Sequence, residues 1–199
     1  MSPIEFWFDF SSGYAYFAAR EAEALAARVG RGMLWRPFML GAAFAVTGAR
    51  GLSSTPLKQD YAARDWARLA RLHGAPFAPP PGHPAIALAA TRAFYVIEAA
   101  DAAAAPRFAR AVFDAYYAGA LDTADPDAVA AFAGRRGADP ERVRAGMADP
   151  VLKARVKALG EEAVARGVFG SPYFIVDGEP FWGFDRMAMM EDWIARGGW

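Results

Sequence analysis

The chain has 199 residues, of which 55% are hydrophobic and 22% are charged. This length suits one domain, or one domain with a large insertion, and the composition is that of a globular protein. Lys plus Arg and Asp plus Glu number 22 each, so no net charge favours nucleic acid or an acidic membrane surface. The chain has no Cys and two His, which excludes disulfides and cysteine catalysis and leads us to expect no metal site.

The chain shows no segment that would direct it to a membrane. No apolar stretch follows a basic start, and no apolar run is long enough to span a bilayer. We therefore expect a soluble, cytoplasmic protein that binds neither nucleic acid nor a membrane.

The first predicted elements are a strand and a helix joined by two serines. Ile4 to Phe10 is apolar and aromatic, which suits a strand buried on both faces, and the alanine-rich stretch from Tyr14 to Arg28 favours helix. The turn between them places the Ser12 hydroxyl at the N-terminus of the helix, where free N–H groups and the helix dipole stabilise an anion such as a thiolate. Ser11 or Ser12 as a plain N-cap is the alternative, and local sequence alone favours it.

A second strand follows, and then a long region without strand patterns. Met33 to Phe38 is predicted to pair in parallel with the first strand, and residues 39–55 are predicted to form an irregular loop. The remainder is helical, with a stiff proline-rich connector over residues 75–84. Helices are predicted over 57–73, 85–104, 106–119, 126–136, 140–147 and 150–166, the last three beginning at an Asp-Pro pair that supplies an N-cap.

The strand signal returns near the C-terminus. Two apolar runs flank Asp177-Gly178 between residues 171 and 183, which predicts a β-hairpin. A short helix over 187–196 follows, with Asp185 as its expected N-cap. The order βαβ, helical block, ββα predicts an α/β thioredoxin-like fold with a large all-α insertion. We expect an N-terminal half over 1–55, the insertion over 56–167 and a C-terminal half over 168–199.

Three motifs resemble those of the 2-hydroxychromene-2-carboxylate isomerases and kappa-class glutathione transferases, which are thioredoxin-fold relatives of the bacterial disulfide oxidases. Residues 8–14, F-D-F-S-S-G-Y, resemble F-D-x-x-S-P-[FY], where serine replaces the first cysteine of a redox pair. Residues 167–174, G-V-F-G-S-P-Y-F, resemble G-V-x-G-x-P-[TY]-F with its cis-proline, and residues 181–186, F-W-G-F-D-R, resemble F-[FW]-G-x-D-R. The resemblance covers essentially the whole chain.

The resemblance implies glutathione as cofactor and a small aromatic acid as substrate. It implies that Ser12 donates a hydrogen bond to the glutathione sulfur, and that the backbone of Ser171, beside a cis-Pro172, pairs with the tripeptide. It also implies that Asp185 binds the γ-glutamyl ammonium, with Phe184 and Arg186 as cofactor-binding residues of the same motif. In the isomerases the thiolate adds to the chromene acid, the ring opens, a bond rotates and the thiol leaves. A homodimer is also implied.

Aromatic side chains near the motifs are predicted to form the substrate cleft. The set comprises Trp7, Tyr14, Phe38, Phe44, Trp182 and Phe184. Since aromatics in such numbers are usually core residues, we favour Tyr14 and Phe184, which flank the motifs, and keep Phe38 and Trp182 as further cleft residues.

The sequence also departs from the family pattern. Gly13 replaces the usual proline, Ala45 and Ala49 occupy the positions of a loop lysine and asparagine, and Ile86-Ala87 replaces an Asn-[ST] pair. These losses support an alternative function, a glutathione-independent protein that binds another small molecule or a peptide in the same cleft. The absence of Cys rules out a disulfide oxidoreductase. His83, after the proline-rich run, is interpreted as a surface or turn residue.

Overall fold

A mixed four-stranded sheet forms the centre of the computed structural model, which describes residues 1–199. Strands β1 (Ile4–Phe8), β2 (Met33–Pro37), β3 (Tyr173–Val176) and β4 (Glu179–Trp182) lie in the order β2-β1-β3-β4. β1 is parallel to β2 and antiparallel to β3, and the β3–β4 hairpin is antiparallel. Helix α1 (Gly13–Arg28) makes the crossover between the two parallel strands. This arrangement confirms the predicted thioredoxin-like fold.

Between β2 and β3 all regular elements are helical. The bounds are α2 (Gly41–Thr47), a 3-10 turn (Leu52–Ser54), α3 (Lys58–His73), α4 (Leu88–Ala100), α5 (Ala104–Tyr117), α6 (Pro126–Gly134), α7 (Pro140–Ala148) and α8 (Pro150–Ala165). Asp125, Asp139 and Asp149 each accept backbone N–H bonds at the start of the helix that follows, as the Asp-Pro pairs predict.

The prediction of an irregular loop over residues 39–55 was wrong, because α2 and the 3-10 turn lie within it. α2 spans only seven residues and has no side-chain N-cap. Its backbone is ordered by the carboxylate of Asp9, which accepts a hydrogen bond of 2.9 Å from the N–H of Leu40. A contact between residues so distant in sequence leaves no local pattern.

The C-terminal helix α9 (Met187–Arg196) follows a 3-10 turn, Phe184–Arg186. The prediction of Asp185 as its N-cap was wrong: Arg186 holds the cap position and no side chain bonds the helix start. The 3-10 turn supplies a bond itself, from the N–H of Arg186 to the carbonyl of Gly183. The Asp185 carboxylate is therefore left outside the helix.

Alternate residues of β1 face different layers of the molecule. Phe6 and Phe8 belong to a large core shared with α1 and the inserted helices, and Phe6 stacks on Phe174 with ring centroids 4.9 Å apart. Trp7 faces the other layer, a smaller cluster with Phe38 and Tyr173. Both faces of the sheet are covered, as the apolar run predicts. None of the helices is long and apolar enough to cross a membrane.

Candidate functional site

A tight turn after β1 fixes the start of α1. The N–H of Ser12 donates to the carbonyl of Asp9, while the Asp9 carboxylate accepts from the Ser11 N–H at 2.9 Å and the Ser11 hydroxyl at 2.7 Å. Asp9 is 4% exposed, and this burial raises the pKa of its carboxyl above the usual value. Ser11 thus points into the turn, and Ser12 is the serine at the helix start.

The Ser12 hydroxyl has two partners. Its Oγ accepts from the N–H of Ala15 at 3.2 Å, which makes it the N-cap, and it donates to the carbonyl of Ser171 at 2.7 Å. The N–H groups of Gly13 and Tyr14, in the first turn of α1, have no intrahelical acceptor. With the positive end of the helix dipole, they create a site that stabilises an anion.

Ser171 and Pro172 lie directly opposite Ser12. The peptide bond between them is cis, as predicted. The Ser171 hydroxyl accepts a hydrogen bond of 2.8 Å from the N–H of Asp9, so the two segments are bonded in both directions. The Ser171 N–H makes no hydrogen bond within the chain, although its carbonyl is occupied by Ser12. One half of the backbone pairing implied for Ser171 is therefore open, and the other half requires Ser12 to release the carbonyl.

Phe184 and Asp185 reach the same side of the sheet as α1. The Phe184 ring is half-buried, 6.0 Å from the ring of Phe17 and 5.4 Å from that of His73. Asp185 is exposed, and its negative charge contributes to raising the pKa of Tyr14, so the two side chains lie in one neighbourhood. Arg186 donates to Asp185 at 2.9 Å. This carboxylate is accessible to a ligand ammonium.

Tyr14 lies between α1 and α3. Its hydroxyl donates to the carboxylate of Asp65 at 2.9 Å, and its ring packs edge-on against Trp66 at 5.7 Å. Burial, followed by the Asp65 interaction, raises the pKa of Tyr14, so it remains a protonated donor at neutral pH. Trp66 is 5% exposed, and its indole nitrogen Nε1 is buried without a partner. The indole lies over Gly13, beside Ser12.

The interpretation of His83 as a turn residue is confirmed, since its N–H donates to the carbonyl of Pro80 at 3.1 Å, but the side chain does not lie freely on the surface. Its ring is half-buried and lies perpendicular to that of Trp66, with centroids 5.6 Å apart. Nδ1 lies 2.9 Å from the Tyr116 hydroxyl and Nε2 lies 3.3 Å from the Ser53 hydroxyl. Burial lowers the pKa of His83. The bond from His83 to Pro84 is also cis.

Two predicted cleft residues lie elsewhere. Phe38 is fully buried beside Trp7, so its assignment to an open cleft was wrong. Trp182 is 56% exposed, but it pairs with Tyr173 on the sheet face opposite α1 and packs against Phe169 at 4.8 Å. Trp182 takes the far face because side chains alternate along β4, and Phe38, which directly follows β2, packs into the cluster around Trp7.

Sequence reasoning missed the wall formed by α3 and its neighbours. Trp66, Asp65, Ser53 and Tyr116 carry no motif of their own. One signal was present: Ala62, Trp66 and Ala70 recur at helical spacing and form the buried face of α3. The reason for a glycine at position 13 is visible only in the packed structure, where the Trp66 side chain of α3 lies against it.

The residues present partly match what a glutathione molecule requires. The helix start at Ser12, the open N–H of Ser171 and the exposed carboxylate of Asp185 have the chemistry to hold a thiolate, a peptide carbonyl and an ammonium. Ala45 and Ala49 are exposed and offer no side-chain hydrogen bond. No group of three or more His, Asp or Glu side chains is arranged to hold a metal ion.

The chain is similar in sequence and structure to several known proteins. The sequence model of the DSBA-like thioredoxin domain family matches residues 3–195. A 2-hydroxychromene-2-carboxylate isomerase of Sphingobium xenophagum is 26% identical over 96% of this chain and 97% of its own. One of Pseudomonas putida is 27% identical over 97% of this chain and 94% of its own. A solved 2-hydroxychromene-2-carboxylate isomerase structure superposes with a TM-score of 0.86 at 25% identity, covering 97% of this chain and 94% of its own.

Proposed function

We propose that this chain, which belongs to the family of DSBA-like thioredoxin domains, is a glutathione-dependent isomerase. Its substrate in this proposal is 2-hydroxychromene-2-carboxylate or a similar aromatic acid. The names of two full-length relatives and of a structure with a TM-score of 0.86 support the substrate class. The proposal includes a cytoplasmic homodimer. A kappa-like glutathione transfer is the related reaction that the same site would support.

The observation that carries the proposal is Ser12 at the start of α1 in a chain without cysteine. In this place a redox protein of the same fold has a thiolate of its own, which the helix terminus stabilises. Here the terminus, with the two free N–H groups of Gly13 and Tyr14, stabilises no charge of the protein. The site is therefore suited to a thiolate brought by a ligand.

Each residue of the site has a definite task in this proposal. The Ser12 hydroxyl turns from the Ser171 carbonyl, where it lies at 2.7 Å, and donates to the ligand sulfur. The N–H and the released carbonyl of Ser171 then pair with the backbone of the tripeptide, as an added strand would. Asp185 pairs with the ammonium of the γ-glutamyl group.

The chain also shapes the surroundings of the reacting groups. Glutathione, when bound, supplies the thiolate that adds reversibly to the aromatic substrate. Tyr14 and Phe184 offer aromatic surfaces next to α1, and Trp66 excludes water from the first turn of that helix. Exclusion of water strengthens the hydrogen bond from Ser12 to the sulfur, because fewer solvent dipoles compete for the charge.

One observation favours the alternative of a glutathione-independent protein that binds a small molecule or peptide in this cleft. The Ser12 donor is already satisfied by Ser171, and Ala45 and Ala49 provide no polar contact for the carboxylates of glutathione. A ligand that does not compete for Ser12 would leave this arrangement intact.

Calorimetric titration of glutathione distinguishes the two functions. We expect binding by the wild type, binding about 10- to 100-fold weaker for Ser12→Ala, and unchanged binding for Ser11→Ala, whose hydroxyl faces Asp9. Thiol-dependent turnover of the chromene acid, followed by absorbance, should decrease in Ser12→Ala and remain unchanged in Ser11→Ala. An absence of binding at millimolar glutathione would contradict the isomerase proposal and support the alternative.

A further inference from the structure

A chain of hydrogen bonds joins three elements next to the candidate site. It begins at the N–H of Ala85, which donates to the Tyr116 hydroxyl at 3.0 Å. The Tyr116 oxygen lies 2.9 Å from Nδ1 of His83, and Nε2 of His83 lies 3.3 Å from Oγ of Ser53. Ser53 belongs to the 3-10 turn after α2, and Tyr116 belongs to α5. Neither residue has another side-chain hydrogen bond.

The direction of each bond follows from the number of hydrogens. Tyr116 accepts from Ala85, and the only acceptor within reach of its own hydrogen is Nδ1 of His83. Burial lowers the pKa of His83, so the imidazole is neutral at pH 7 and its single hydrogen is on Nε2. Nε2 therefore donates to Ser53.

This direction leaves the hydrogen of the Ser53 hydroxyl without a partner in the protein. Because its oxygen accepts from His83, the hydrogen is not donated to the imidazole and remains available to another acceptor. Ser53 is half-exposed, so a ligand can reach it. The opposite arrangement, in which Ser53 donates to His83 as in a nucleophilic pair, would deprive the Tyr116 hydrogen of any acceptor.

The wall between Ser53 and Ser12 is aromatic. The His83 ring meets Trp66 edge-on at 5.6 Å, and the indole of Trp66 in turn covers Gly13, the residue after Ser12. Trp66 is 5% exposed, so these rings form a closed link between the two serines, whereas Ser12 and Ser53 are themselves half-exposed. An aromatic acid whose ring lies at Ser12 and whose carboxylate reaches Ser53 fits a donor at that position, because a carboxylate accepts hydrogen bonds.

We propose that the Ser53 hydroxyl binds the carboxylate of the aromatic substrate, and that His83 and Tyr116 are positioning residues that fix the direction of its hydrogen. The inference rests on the proposed function for the identity of the substrate. It deepens that function by assigning the acid end of the substrate to a neutral donor in the 3-10 turn after α2.

The test uses a stable bicyclic acid, chromone-2-carboxylate, titrated into the full chain without glutathione. We expect Ser53→Ala to bind it about 10-fold more weakly than the wild type, and Ser53→Thr, which keeps the hydroxyl, to restore most of the affinity. Ser54→Ala is the matched control, because Ser54 is the exposed neighbour in the same turn and has no side-chain hydrogen bond. Equal affinities of Ser53→Ala and the wild type, or no binding by the wild type, would overturn the proposal.

A second measurement reads the hydrogen positions directly. Nitrogen-15 NMR of the imidazole at pH 7 should show a protonated Nε2 and an unprotonated Nδ1 for His83, and Tyr116→Phe should abolish this preference. A hydrogen on Nδ1 of the wild type would overturn the assignment even if the probe binds. Glutathione titration of the same variants separates the two proposals: Ser53→Ala should bind glutathione as the wild type does, whereas failure of the wild type to bind it contradicts only the proposed function.

Discussion

A Cβ atom added to Gly13 would lie 2.5 Å from Cε2 of Trp66, closer than two such carbons approach in folded proteins. Gly13 has ordinary helical backbone as the first residue of α1, so the requirement is for space and not for an unusual dihedral angle. The glycine that replaces the proline of related sequences is therefore paired with a tryptophan 53 positions later, and the two together form one side of the candidate site.

Gly13→Ala should therefore destabilise the protein. Overpacking against a buried indole costs about 1–3 kcal/mol, which corresponds to a decrease of about 2–4 °C in Tm per kcal/mol for a chain of this size. In a Trp66→Ala background the same change should be neutral or stabilising, because alanine favours helix once the clash is removed. Thermal unfolding of both single variants and the double variant measures this coupling.

Gly134→Ala is the matched control for this cycle. Gly134 also lies in a helix, but an added Cβ would meet the Pro140 ring at an ordinary 3.4 Å. We expect its Tm to equal or exceed that of the wild type. A Gly13→Ala variant as stable as Gly134→Ala would show that the indole moves aside without cost.

The buried carboxyl of Asp9 should give the protein a characteristic pH dependence. Burial raises its folded-state pKa above the unfolded value, so its contribution to stability is complete below about pH 4 and is lost as the pH rises through the folded pKa. The difference in free energy of unfolding between the wild type and Asp9→Asn should accordingly be most favourable to the wild type near pH 4 and decrease toward neutral pH. Urea unfolding at a series of pH values measures it; a difference that increases with pH would contradict the assignment.

Asp185→Ala should weaken the binding of glutathione only through the loss of its contact with the γ-glutamyl group. Removal of an exposed charge-assisted hydrogen bond to the γ-glutamyl ammonium should decrease the affinity about 3- to 10-fold. Cysteinylglycine lacks that group and should bind both proteins equally. Calorimetry with the two peptides tests this, and Asp192→Ala is a matched control, since Asp192 is a carboxylate of α9 paired with Arg196 at 2.9 Å. Equal losses for both peptides would refute the role of Asp185.

The hydroxyl of Tyr14 should stabilise the contact between α1 and α3. Tyr14→Phe removes the 2.9 Å bond to Asp65 and should cost about 0.5–1.5 kcal/mol, whereas Tyr61→Phe, at a side chain 62% exposed, should cost nothing measurable. Because the folded-state pKa of Tyr14 is raised, its contribution is complete below about pH 10 and is lost as the pH rises through the folded value. Urea unfolding between pH 7 and pH 11 measures the free energy of unfolding of the wild type and of both variants. A difference between the wild type and Tyr14→Phe that stays constant across that range would argue against a hydrogen-bonded Tyr14.

Local sequence patterns are sufficient to predict most of the elements and part of the candidate site. The alternation of apolar runs, glycine turns and Asp-Pro pairs depends on neighbours a few residues apart, so the strands, α1 and the inserted helices are predicted to within a few residues. Ser12 at a helix start follows from the same local logic, as do the parallel pairing of β1 with β2 and the β3–β4 hairpin. The prediction of Asp185 as an N-cap was wrong because a 3-10 turn, Phe184–Arg186, directly precedes α9.

Which side chains contact one another depends on tertiary packing. Trp66 covers Gly13, Phe38 turns into the core beside Trp7, and His83 binds Tyr116, a residue 33 positions away. These contacts depend on how α3 and α5 pack against α1 and on which face of the sheet a strand residue takes, and a local sequence pattern carries neither. The hydrogen bonds that connect Ala85, Tyr116, His83 and Ser53 also form only because packing brings these segments together.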